Sequence, residues 1–172
     1  MRHGVGRTRR GFRGLVESGV AAVVLILAAG CAMTPVTEPV SPTGSGPMQA
    51  ELDAARAKWA AASPAVYRFE LTRSCFCLPE FTGPFRVEVA GGQVIEVVHL
   101  ELGAEVDADR GESIEGLFAL LQRAITEGAV EIRAAYDPVL GHPTDLYVDR
   151  DRRIADEEIG YRVRDLVILS RT

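Results

Sequence analysis

Lysine is nearly missing from this 172-residue chain: Lys58 is the only one, and arginine supplies the rest of the 19 basic residues. Cysteine, histidine and tryptophan are also scarce, at three, three and one. Three cysteines cannot build a disulfide framework, and histidines at positions 3, 99 and 142 have no metal-ligand spacing. No charge-free run reaches the roughly 20 apolar residues that a permanent membrane helix wants. A Gly-x-Ser-x-Gly elbow, a phosphate loop and an H-E-x-x-H helix are all missing. The chain therefore reads as non-enzymatic, with no catalytic residue, cofactor or metal site. A hydrolase built on paired carboxylates would escape this search, and it would require a deep cleft lined by acids from different strands. What is present is 47% hydrophobic and 25% charged sequence, enough for one ordinary domain and too short for two.

Arg2, Arg7, Arg9, Arg10 and Arg13 crowd the start, and residues 18–30 then run without a charge up to Cys31. This is the layout of a signal peptide over residues 1–30. Residues 27–31, L-A-A-G-C, resemble the lipobox of bacterial lipoproteins. That resemblance implies a diacylglyceryl thioether, with fatty acyl chains such as palmitate, on Cys31 and cleavage just ahead of it. Two acyl chains suffice for stable anchoring at roughly 0.8 kcal/mol per buried CH₂. Ala32, in place of Asp, resembles lipoproteins passed to an outer membrane. The expected location is extracytoplasmic, lipid-anchored to the cell membrane or the outer membrane. Residues 8–13, T-R-R-G-F-R, resemble the twin-arginine export motif, and an ordinary arginine-rich leader explains them equally well. Residues 1–30 hold five arginines and one glutamate, so the chain from Cys31 onward carries −9 against −5 for the whole. Such acidity argues against nucleic-acid binding and leaves lipid on Cys31 as the membrane contact.

Residues 31–47 are rich in Pro, Thr, Ser and Gly and read as the lipidated cysteine and a flexible tether, followed by one domain over 48–172. Residues 49–62 place Leu52, Ala55, Trp59 and Ala62 at helical spacing, with Ser63-Pro64 as the stop. Residues 65–77 alternate as a strand. Residues 85–90 and 94–100 flank Gly91-Gly92 as a hairpin. A three-residue loop of Ala90, Gly91 and Gly92 would set Phe85 against Val97, Val87 against Ile95 and Arg86 against Glu96. Ser113 caps a helix with the stripe Ile114, Leu117, Phe118, Leu121 and Ile125, Glu112 and Glu115 near its positive end, and Gly128 beyond its close. Strands follow at 130–136, 144–149 and 161–169. The predicted fold is α+β in the order α-β-β-β-α-β-β-β, with two helices on one face of an antiparallel sheet of about six strands.

With Cys31 lipidated, Cys75 and Cys77 have only each other, and in an exported protein they are expected to form a disulfide. On a flat strand residues two apart stand about 6.6 Å apart, so the chain must bend there. The bond would close a very small loop and be easier to reduce than a typical structural bridge. It reads first as a local staple, with redox exchange or a soft metal as the alternatives. His99 is expected as a partly exposed strand-end residue and His142 as a turn residue. Asp149, Asp151, Asp156, Glu157 and Glu158, around Arg150, Arg152 and Arg153, depart from an EF-hand because Ile154 stands where its glycine belongs. They read as a solvated connection of mixed charge.

Tyr67 before Cys75-x-Cys77, the segment 87–94, Leu117-Phe118, Tyr136-Asp137-Pro138, Gly141 with Pro143, and Asp149 followed by Asp156-Glu157-Glu158 and Tyr161 together resemble a bacterial lipoprotein family known as domain of unknown function 6174. The resemblance covers roughly residues 50–169 and supplies no activity. It pairs a lipobox with the C-x-C segment, which implies an exported setting for both. An aromatic often stands at the position of His142 in that pattern, so the resemblance gives His142 little weight as a ligand. The leading expectation is a membrane-anchored binding or interaction domain of the cell envelope whose partner is an envelope protein or ligand. The rival is a thiol-disulfide or metal-handling lipoprotein acting through Cys75 and Cys77.

Overall fold

The computed structural model describes residues 45–62 and 64–169. In order these form helix α1 (Ser45–Ala62), strands β1 (Val66–Cys75), β2 (Phe85–Ala90), β3 (Gln93–His99) and β4 (Ala104–Glu105), helix α2 (Ile114–Glu127), and strands β5 (Glu131–Tyr136), β6 (Pro143–Asp149) and β7 (Ile159–Ile168). The expected signal peptide, Cys31, residues 32–44 of the expected tether and Ser63 of the expected helix stop lie outside the described residues, and residues 45–47 of that tether belong to α1. All strand pairs are antiparallel, in the order β4-β3-β2-β1-β7-β6-β5. The expected α+β architecture therefore holds with seven strands. The addition is β4, whose two residues are too few for alternation to reveal.

Period-two alternation decides which side of the sheet each residue faces. Along β1, Tyr67, Phe69 and Leu71 are buried, whereas Arg68, Glu70 and Thr72 face the other way. Leu52, Ala55 and Trp59 of α1 join Ile114, Leu117, Phe118, Leu121 and Ala124 of α2 in one core with Phe85, Val87, Val97, Leu146, Val148 and Val163 of the sheet. Both helices thus lie on the same face. The cap of α2 is as expected: the Gly116 N–H donates to Ser113 Oγ at 3.1 Å, and Gly128 closes the helix at φ 72°. Helix α1 starts at Ser45, four residues early, and takes in Pro47. Proline is tolerated in a first turn because the N–H it lacks has no intrahelical partner there.

The hairpin register differs from expectation. Ala90 pairs with Gln93 around a two-residue loop in which Gly91 and Gly92 both have positive φ, 58° and 77°, the signature of a type I′ turn. A shift between Glu88 and Val89 then sets Val87 against Val97 and Phe85 against His99, while Arg86 meets Val98 rather than Glu96. The irregularity restores the apolar pairing that a plain two-residue loop would lose. Ile95 is the residue displaced, and it is 55% exposed. His99 is consequently buried rather than partly exposed, edge-on to Phe85 with ring centroids 5.1 Å apart. A second irregularity, where β7 passes Arg68 and Glu70 of β1, contains Asp165 at φ 51°.

Candidate functional site

The face turned away from the helices is polar and, among the described residues, carries no helix; Asp149, near one end of it, is nonetheless buried. Glu70 lies opposite Arg86 on one side and Arg164 on the other, and Thr72 lies opposite Arg162. Arg162 Nε donates to Asp145 Oδ2 at 3.3 Å, and the Arg133 guanidinium stands 4.3 Å from the centre of the Tyr147 ring. Between these groups is a depression of about 300 Å³, lined in part by Thr72, Ser74, Arg133, Asp145, Tyr147 and Arg162. Gly160 also lines it, and a Cβ there would come within 3.2 Å of the Leu146 carbonyl oxygen and 3.4 Å of Ser74 Cβ. The depression offers cations, an anion and hydroxyls at close range, which suits polar recognition. His99 and His142, the histidines among the described residues, are both buried.

Beyond Tyr147 the same face ends in acids. Glu131 lies opposite Asp149, and Glu158 precedes Ile159, the partner of Val148, which places it beside Asp149 on the other side. Asp149 is only 6% exposed, and its Oδ1 has no hydrogen-bond partner. Burial pushes its carboxyl above the usual range, Glu158, Glu157 and Glu131 push it further, and Arg152 pulls it back in part. The expected solvated connection therefore describes Asp151, which holds Arg153 in an exposed ion pair at 2.6 Å, but not Asp149. Among the described residues no group of three or more His, Cys, Asp or Glu is placed to hold a metal ion.

Cys75 and Cys77 are joined in a disulfide with Cα atoms 5.3 Å apart. Strand β1 ends at Cys75 and the chain bends at Phe76 and Cys77, supplying the approach that a flat strand lacks. Cys75 is half-buried and Cys77 exposed. Phe76 and Leu78, on either side of Cys77, are 79% and 62% exposed.

Sequence reasoning missed a polar joint inside the covered side. Tyr67 donates to Glu115 Oε2 at 2.5 Å and accepts from the Ile114 N–H at 3.0 Å, while Trp59 Nε1 donates to Glu115 Oε1 at 2.8 Å. One carboxylate at the start of α2 thus ties together α1, β1 and α2. Burial, then the neighbouring carboxylate, pushes the Tyr67 hydroxyl far above its ordinary range. The available signal was Glu115 itself, read only as a charge near a helix start. His142 also packs here, its ring 6.0 Å from that of Trp59, and its Nδ1 has no partner. The turn before it docks on α1: Lys58 Nζ donates to the Pro138 carbonyl at 2.9 Å, and a Cβ on Gly141 would lie 2.3 Å from the Ala55 carbonyl oxygen.

A helix-backed antiparallel sheet with one polar face open defines a class of small α+β domains rather than a chemistry. Residues 51–168 match the model of a family described as Family of unknown function (DUF6174), and the chain belongs to that family. No curated protein and no solved structure matches it.

Proposed function

We propose that the protein is an exported, lipid-anchored domain of the cell envelope that binds a partner through the uncovered face of its sheet and catalyses no reaction. The observation that carries this reading is the contrast on one sheet between an apolar face closed by two helices and a polar face left open around a 300 Å³ depression. The lipobox-like residues ending at Cys31 support the anchor, and the acidic chain supports a polar contact. A photo-crosslinking side chain at Thr72, on the open face, should capture a discrete partner in intact cells, and one at the exposed Asp53 of α1 should not. Equal capture at both positions, or none at Thr72, would overturn the reading. Replacing Cys31 with Ala should move the protein out of the membrane fraction, and unchanged membrane retention would count against the anchor.

The exposure of Cys77 favours a second reading, in which the Cys75–Cys77 pair exchanges with external thiols. Thiol titration in defined redox buffers separates the two. A potential below about −300 mV marks a structural bond and removes the redox reading.

A further inference from the structure

Glu131 and Asp149 are cross-strand partners at one end of the open face, and Glu158 lies one residue before β7, next to Ile159, the partner of Val148. Side chains directly opposite one another in a sheet have Cβ atoms about 4.5–5.5 Å apart, and like charges in such positions are destabilising. Of the neighbours of Asp149, Glu131 has cations close by, Arg133 and Arg152 at 3.6 and 4.0 Å, and Arg150 approaches Glu157, the residue before Glu158, at 4.0 Å. Asp149 differs from Glu131. It is 94% buried by its 6% exposure, makes no ion pair within 4.0 Å among the described residues, and leaves Oδ1 without a hydrogen bond. A buried, unpaired carboxylate oxygen is a costly arrangement in a resting fold.

We infer that this row of acids receives a basic side chain, guanidinium or ammonium, from a protein partner lying across the open face. The inference rests on the binding reading above and names the chemistry of the partner. A donor cation supplies the hydrogen bond that Asp149 Oδ1 lacks and a positive charge closer than that of Arg152, which makes no ion pair with it within 4.0 Å, whereas a neutral donor or water supplies only the first. A metal ion would need several ligands drawn together, and the described carboxylates are not. The adjoining depression shares Tyr147 and Arg133 with this end of the face and gives the rest of a partner segment a polar floor. The net charge of −9 from Cys31 onward attracts such a segment from a distance.

The test uses the full chain purified from membranes in detergent, with a fluorescein-labelled peptide of alternating Gly and Arg as the probe. Fluorescence anisotropy should show binding that Asp149→Asn weakens at least tenfold, while Glu101→Gln, an exposed change of equal charge outside this row, leaves it unaltered. A Gly-Lys peptide should also bind, and a peptide with citrulline in place of Arg should not. The Asp149→Asn protein should melt no lower than wild type, so that lost binding is not lost folding. Equal weakening by Glu101→Gln reduces the effect to general attraction and overturns the inference, as does unchanged binding by Asp149→Asn. Saturable 1:1 displacement of the peptide by CaCl₂, abolished by Asp149→Asn, would assign the row to a metal and overturn it as well. The Thr72 crosslink judges the parent reading separately: capture that persists in Asp149→Asn keeps the open-face reading and counts against the acid row.

Discussion

The two faces of strand β1 are built from neighbouring residues and carry different loads. Tyr67, Phe69 and Leu71 touch the helices and hold the domain together, whereas Arg68, Glu70 and Thr72 touch little beyond their cross-strand neighbours. On the covered face polar groups are few, and Tyr67, Trp59 and Glu115 satisfy one another. On the open face unlike charges meet around Glu70 and Arg162, like charges meet at Glu131 and Asp149, and Asp149 Oδ1 is left unsatisfied. On the proposed reading, stability and recognition are separated by the pleat of the sheet. Changes on one face should be felt in melting curves, and changes on the other in binding.

The strongest way to break this division is to remove core volume. Leu117→Ala should cost about 2–5 kcal/mol in chemical denaturation, the range for a buried leucine that leaves a cavity. A loss under about 1 kcal/mol would mean that α2 is not the main cover. Next comes the joint. Tyr67→Phe keeps the ring but removes a donor to a carboxylate and an acceptor for the Ile114 N–H, so it should cost about 1.5–3 kcal/mol. Smaller again is a pH effect. Burial holds the His142 imidazole below its ordinary value of about 6.5. The unfolded chain therefore takes up a proton first, so this contribution is complete above about pH 6.5 and is lost as pH falls through the depressed value. Melting temperature should drop over that acidic window, and His142→Phe should flatten the drop. The smallest effect belongs to the open face: Thr72→Ala and Arg164→Ala should each stay within about 0.5 kcal/mol of wild type. A larger loss there would erase the distinction between the faces.

Much of the fold was legible because the signals were local. Ser113 and Gly128 mark the ends of α2 by cap chemistry, and its apolar stripe names the buried side. The bend at Cys75 and Cys77 followed from strand geometry and the small separation of the two cysteines. The hairpin register was not legible, because Gly91-Gly92 fits two loop lengths and the displacement of Ile95 depends on how Val87 and Val97 meet the helix side. The burial of His99 follows from that register, so it was missed with it. Asp149 was read as solvated because its neighbours in sequence are charged, whereas its exposure is set by β5 and by the turn into β7. The Tyr67–Glu115 contact joins residues 48 positions apart, and no periodicity encodes such a pairing.

The strand order has a consequence for how the molecule can be made. β1 and β7, the first and last strands of the sheet, are neighbours at its centre, and their contact unites β2–β4 with β5–β6. A ribosome releases residue 66 about a hundred residues before it releases the strand that must lie beside it. Until β7 emerges, β1 has a bare edge, so a nascent chain can hold its hairpins but cannot complete its middle. Clipping β7 would not trim a border. It would leave two half-sheets with no seam between them.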